Sequence, residues 1–413
     1  MAIAIETPKQ GFRLGMLFYD TRYRSVTIQV IVLILFLVFV GWLADNTRHN
    51  LALKGKDIDF SFLWRRAGYD IGQHLIPYTN DSTNFRAALV GLINTLVVAA
   101  LGCVFSTVLG VIIGVLRLSK NWIIGRLTTI YVEMFRNVPL LLWIIVVYVI
   151  LGETMPAPKD FKPDAAGVSA AHMSLWESIA ITNRGTSMPS PVLDRPLPGD
   201  YSSLLAILVV VAGSIWVNHL LLKRATATQE ATGIRPAMWW KSLAILLLPT
   251  IALLAVLGFH LDYPVLKGFN FSGGINVAHA FTAMVIALTL YYAAVIAEIV
   301  RSGIQAINRG QSEASYALGL RPGRTMNLVI LPQALRVIIP PMISNWLSLT
   351  KDTSLGIAVS YLDLRGTLGG ITLNQTGREL ECMLLMMLTY LIISLIISAI
   401  ANAYNASVKL KER

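Results

Sequence analysis

Long stretches in which apolar residues follow one another without polar interruption dominate this chain. A helix rising 1.5 Å per residue needs about 20 such residues to cross a ~30 Å hydrocarbon layer. Residues 25–44, 87–116, 201–222, 242–261, 270–297 and 382–407 meet that length, the last expected to end before its full extent. Two further segments are less regular. Residues 128–151 have the length but carry Glu133, Arg136 and Pro139, while 337–350 is charge-free and only 14 residues long, with Pro340-Pro341 near its start. Counted together they predict eight crossings and an all-α integral membrane protein. The first run is too long and too evenly apolar for a cleaved signal peptide, and is expected to remain as an anchor.

Composition supports this picture. Of the 413 residues 55% are hydrophobic and 14% charged, against roughly 25% charged in ordinary globular domains. The net charge of +11 would suggest nucleic acid on a soluble protein. Here it follows topology. If the N-terminus is cytoplasmic, the loops on that side carry 19 Lys and Arg against 6 acidic residues, and those outside 14 against 16. Positive charge is retained in the cytoplasm, so both termini are expected there and no nucleic-acid partner is called for.

Several chemistries are missing. No G-x-x-x-x-G-K-[ST] occurs, so the chain does not cradle a nucleoside triphosphate by that route. The six histidines show no i, i+4 pairing and no H-E-x-x-H, and no G-x-S-x-G elbow is present. Cys103 and Cys382 lie inside apolar runs, which argues against a disulfide framework or a cysteine metal site. Neither a catalytic residue nor a cofactor is expected. Many spans and little soluble mass point to transport.

Within the spans, Gly102, Ser106, Gly110 and Gly114 recur every four residues on one face. Such a face lets two helix backbones approach closely, either as static packing or as a surface along which a bundle slides. Glu133 and Arg136, three apart, can pair at an interface or line a cavity. The short run 337–350 is followed by Lys351-Asp352-Thr353-Ser354. Polar, irregular backbone at membrane depth survives only when buried in protein or lining a water-filled route, which places this segment and 353–362 at a translocation pathway.

Residues 298–336 read as a solvated connector holding a short surface helix. The polar, Ala-rich stretch from Glu298 to Gly319, with Gln311, Glu313, Ala314 and Ser315 in it, has a glycine stop at Gly319 and then Pro322-Gly323. A helix with small residues and one carboxylate can dock into a groove on another protein. The spacing from Glu313-Ala314-Ser315 through Gly319 to Val329-Ile330-Leu331-Pro332 resembles the signature of permease subunits of ATP-binding-cassette (ABC) importers. Ser315 and Val329 are its two small departures. Ala297-Glu298, Arg301, Gly303, Gln333-Ala334-Leu335-Arg336 and Lys351-Asp352-Thr353-Ser354-Leu355 are similar to the polar amino-acid branch. So are Gly91, Asn94-Thr95-Leu96 and Arg136-Asn137-Val138-Pro139.

The resemblance covers about 84–151 and 275–405. It implies a type I importer permease core in these two parts, preceded by an anchor region over 1–83 and followed by a tail over 406–413. An insertion over 152–274, bearing two extra helices, resembles the larger permeases of general L-amino-acid importers. Gln311, Glu313, Ala314, Ser315, Leu318 and Gly319 would form a coupling helix seated in a separate ATPase subunit. A homologous second permease would complete the pore in a bacterial inner membrane, among its lipids. A periplasmic amino-acid-binding protein would deliver the L-amino acid. Arg136, Asn137, Glu298, Arg301, Asp352, Thr353 and Ser354 are pathway candidates, although Glu298 and Arg301 could equally form a local ion pair. A secondary transporter driven by an ion gradient is the alternative, and would need paired carboxylates deep in the spans. A membrane scaffold would leave the polar-tipped seventh segment without purpose.

Overall fold

The computed structural model describes residues 16–53, 55, 57–163, 168–199, 201–234 and 236–408. The tails at 1–15 and 409–413 lie outside them. The principal helices are α1 (Thr21–Leu53), α2 (Asn84–Leu116), α3 (Trp122–Asn137), α4 (Leu140–Thr154), α5 (Ser202–Thr232) and α6 (Trp239–Val256). They continue as α7 (His279–Gln305), α8 (Arg309–Ala317), α9 (Leu331–Asp352) and α10 (Glu379–Val408). Among the described residues seven helical segments are long and apolar enough to cross a membrane, and α3 with α4 makes an eighth if the bent pair is one span.

That pair is the first departure from expectation. Residues 128–151 are not a straight crossing: α3 and α4 meet at 107°. A residue before proline is driven out of the helical region. Val138 is accordingly extended, at φ −105° and ψ 133°, and Pro139 precedes the first turn of α4. The second departure concerns 337–350. Pro340 and Pro341 sit inside a 22-residue helix and do not end it. The irregular backbone comes later, as a 3-10 turn over Thr353–Val359 and a wide-turned stretch over Thr367–Thr372.

Helix α7 is the hub, with Met284, Leu288, Ala294, Ile296 and Ala297 fully buried. Val98 of α2, Ile144 of α4 and Leu349 of α9 close around it in one apolar cluster. The small-residue face of α2 meets this hub. A Cβ at Gly110 would lie 2.7 Å from Ile296 Cβ, one at Gly114 2.8 Å from the Ala297 carbonyl oxygen, and one at Gly102 3.1 Å from Leu349. The face therefore packs within the chain.

At one end of the bundle the segment 361–376 docks on the start of α2. The Asn94 amide donates to the carbonyls of Gln73 and Leu362, both at 2.9 Å. The Thr95 hydroxyl accepts the Leu364 N–H at 3.0 Å. A Cβ at Gly91 would come within 2.2 Å of the Thr367 hydroxyl. These contacts supply the physical reason for glycine, asparagine and threonine at that spacing.

The same end carries seven short strands that the apolar pattern does not foretell: β1 (Ala180–Thr182), β2 (Gly185–Met188), β3 (Ser190–Leu193), β4 (Phe259–Asp262), β5 (Val265–Lys267), β6 (Asn270–Ser272) and β7 (Ile275–Ala278). They form antiparallel sheets in the orders β1-β2-β7, β3-β4 and β5-β6. Thus 242–261 ends as a helix at Val256, and 270–297 becomes helical only from His279. α5 and α6 pack on each other, and no residue of α6 is buried.

Candidate coupling and pathway site

At the end opposite the strands, α7 finishes at Gln305 and the chain turns into α8. The Asn308 side chain accepts the Gly310 N–H at 2.8 Å and so starts the helix. Gly319 ends it at φ +74°, a left-handed backbone that favours glycine, while the Leu320 N–H reaches back to the Ser315 carbonyl at 3.1 Å. Ser315 is buried and bonds back to the Gln311 carbonyl at 2.7 Å. Gln311, Glu313 and Ala314 are exposed, and Leu318 is 82% exposed. The helix therefore holds one face against the 322–333 segment and shows a carboxylate and an apolar tip outward.

Above α8 the ends of three spans are tied by charge. Arg117, at the C-terminal cap of α2, keeps only 9% of its side chain exposed. It forms a short contact with Glu298 of α7, lies 3.6 Å from Glu133 of α3 and donates to the Thr129 hydroxyl. Glu298 also takes Arg301 at 3.1 Å and Arg136 at 4.0 Å. The local Glu298–Arg301 pair thus forms. The Glu133–Arg136 pair does not: Glu133 faces Arg117 and accepts from the Asn137 amide at 3.4 Å. Arg117 was missed by sequence reasoning, being the first charge after a long apolar run with no partner nearby in the chain. A guanidinium closing a 33-residue span is the signal that could have found it.

The other candidates stand apart from this cluster. The Tyr292 hydroxyl donates to Asp352 at 2.6 Å, and Thr353, fully buried, bonds back to the Thr350 carbonyl at 2.9 Å. Ser354 is partly buried beside them. No group of His, Cys, Asp and Glu among the described residues has the arrangement of a metal site.

Residues 234–410 match the family described as the binding-protein-dependent transport system inner membrane component. The chain is 61% identical to the glutamate/glutamine/aspartate/asparagine transport system permease protein BztB of Rhodobacter capsulatus, over the whole of both chains. It is 40% identical to the general L-amino acid transport system permease protein AapQ of Rhizobium johnstonii, over 98% of each chain. The putative amino-acid ABC transporter permease protein YhdX of Escherichia coli is also 40% identical, over 96% of this chain and 97% of that one. Among solved structures, a chain from a crystal structure of an amino acid ABC transporter with histidines has a TM-score of 0.44 and 18% identity, covering 78% of this chain and 94% of its own. On the strength of its full-length relatives, this multi-pass chain belongs to the permease subunits of amino-acid ABC transporters, which form the membrane passage and carry no catalytic centre.

Proposed function

We propose that this permease imports L-amino acids with acidic or amide side chains, using ATP hydrolysed by a separate cassette subunit that grips α8. The observation carrying this reading is α8 itself. It is a nine-residue helix at the end of the central α7, with Glu313, Tyr316 and Leu318 turned outward and a glycine stop. The residues that would touch the ATPase are Gln311, Glu313, Ala314, Leu318 and Gly319, while Ser315, buried beneath them, fixes the underside. Closure of the ATPase subunits would move α8, and with it α7 and the Arg117–Glu298 cluster, switching access from one face to the other. The core would comprise 84–151 and 275–405, with 1–83 and 152–274 added around it.

The substrate class rests on the named substrates of BztB. A homologous second permease would complete the passage, and a periplasmic binding protein would deliver the amino acid to the strand end. Retention of positive charge puts the α8 end and both termini in the cytoplasm. An ion-gradient mechanism calls for a pair of deep carboxylates acting together, whereas Asp352 is held by Tyr292 and the buried Asp363 by the Gly366 N–H and Tyr390, each by its own partners.

Reconstitution of the importer with its ATPase tests the reading. Uptake is expected to require ATP and to resist ionophores. Glu313→Arg or Gly319→Asp is expected to abolish substrate-stimulated ATP hydrolysis while the complex still assembles. An unchanged ATPase response in an assembled complex refutes the coupling role.

A further inference from the structure

The β5–β6 hairpin turns on two residues, Gly268 and Phe269, between the paired Lys267 and Asn270. Gly268 takes the left-handed backbone that this tight turn requires, at φ +65°, and Phe269 stands at the tip, 84% exposed. Three cations gather at this ring. The Lys162 ammonium lies 5.6 Å from its centroid, and the Arg184 guanidinium donates to the Phe269 carbonyl at 3.4 Å. Lys267 stands two residues away, at the end of β5. All three are exposed, and among the described residues none is paired with a carboxylate. Asp160, the acid next to Lys162 along the chain, accepts the Ala157 N–H at 2.8 Å.

Backbone contacts set the height of this tip. His279, the first residue of α7, is bonded to the Tyr148 carbonyl at 2.8 Å, so α7 begins level with the last turns of α4. The apolar run of α4 stops at Leu151, before Glu153. β2 is registered on β7 with Gly185 opposite Ala278, next to the start of α7. Asn183 donates to the Pro156 carbonyl, just past the end of α4, at 3.0 Å. Arg184, between those two anchors, therefore lies where hydrocarbon gives way to headgroups, and Phe269 is within reach of its side chain. Below, α4 presents Leu142, Val146 and Val149 on one exposed face, as a helix in hydrocarbon does. A soluble protein would meet the other end of β2, at Met188 opposite Ile275, about 10 Å further out.

We propose that Lys162, Arg184, Lys267 and Phe269 form a binding site for an anionic phospholipid at the membrane surface on the strand side. The Phe269 ring enters the boundary between headgroups and chains, and the three cations take the phosphate oxygens. Free phosphate offers the same oxygens but no apolar boundary for the ring, so the tip fits a lipid. Its occupant moors the β5–β6 hairpin, and through Arg184 the sheet β1-β2-β7, to the bilayer. The site requires only that the chain cross a membrane, whichever amino acid is carried.

The test uses the full-length chain in its purified transporter complex, released from nanodiscs of equal phosphatidylglycerol and phosphatidylcholine and weighed by native mass spectrometry. The triple variant Lys162→Gln, Arg184→Gln, Lys267→Gln is expected to lose at least one retained phosphatidylglycerol per permease, with phosphatidylcholine unchanged. Phe269→Ser, which leaves every cation in place, is expected to lose the same molecule, and Lys162→Arg with Lys267→Arg to keep it. If the triple variant fails to assemble, Phe269→Ser decides alone. Retention equal to the wild type in either charge-removed or ring-removed protein overturns the proposal. Displacement of the lipid by an equal concentration of glycerol phosphate also overturns it, and assigns the cations to a soluble phosphate. A triple variant that keeps its lipid yet no longer answers a binding protein overturns it in favour of a protein contact.

Discussion

Replacing Gly110 by alanine adds one methyl group where α2 crosses α7. The new Cβ would sit 2.7 Å from Ile296 Cβ, 2.8 Å from its Cγ2 and 2.9 Å from the Ala293 carbonyl oxygen. Ordinary contact begins near 3.4 Å, so the two backbones must part by about 0.5–0.7 Å along a seam that continues to Gly114. Overpacking of a dense interior costs typically ~1–3 kcal/mol. Alanine recovers ~0.5–1 kcal/mol of helix propensity, which leaves a net destabilisation centred on about 1 kcal/mol and at most about 2.5. Gly213 in α5 supplies the control, because nothing lies within 4 Å of a Cβ built there. Gly213→Ala should keep only the propensity gain and move stability the other way. The assay is the thermal midpoint of the purified permease complex, followed by tryptophan fluorescence. The expected result is a lowered midpoint for Gly110→Ala and an equal or raised one for Gly213→Ala. Equal shifts of one sign would refute the close-approach account of the glycine face.

Three other substitutions bear on separate links. Glu298→Gln leaves the Arg117 guanidinium, 9% exposed, with the more distant Glu133 as its carboxylate and the Thr129 hydroxyl. Removing one partner of a fully buried pair costs ~3–5 kcal/mol, and the 27% exposure of Glu298 brings this to about 2. Weaker coupling of ATP hydrolysis to uptake, measured as amino acid moved per ATP, is expected. Asn94→Ala strips two carbonyls of their donor and should cost roughly 1–3 kcal/mol; limited proteolysis cutting faster within 57–83 or 361–376 checks it. Burial pushes the Asp363 carboxyl, between spans, up from 3.8 to about 6. With the folded value raised, its stabilising contribution is complete below about pH 4 and is lost as pH rises through 6. Asp363→Asn should remove that slope from the thermal midpoint between pH 4 and 7 while still accepting the Gly366 N–H.

The spans were legible because continuous apolar runs need only length to declare themselves, and α8 because Gly319 and then Pro322-Gly323 mark its end. The bend at Val138 was available in Pro139 but is masked by the apolar run that resumes after it. Strands β4 to β7 hide in residues that extend neighbouring spans. Their pairing with β1, β2 and β3 is long-range, and periodicity over four residues cannot report it. The Arg117–Glu298 contact joins positions 181 apart. The inward turn of Asp352 and the outward turn of Lys351 depend on where α9 crosses α7, which no local pattern contains.

β7 ends at Ala278 and α7 begins at His279, with no loop between them. The sheet β1-β2-β7 is thus mounted on a rod about 40 Å long whose far end leads into α8. Occupancy at either extremity that favours one tilt of this rod must, by thermodynamic linkage, bias the other extremity by the same free energy. Tightening of a ligand on the sheet upon nucleotide binding, and its mirror, can then be measured as one coupling constant from two directions.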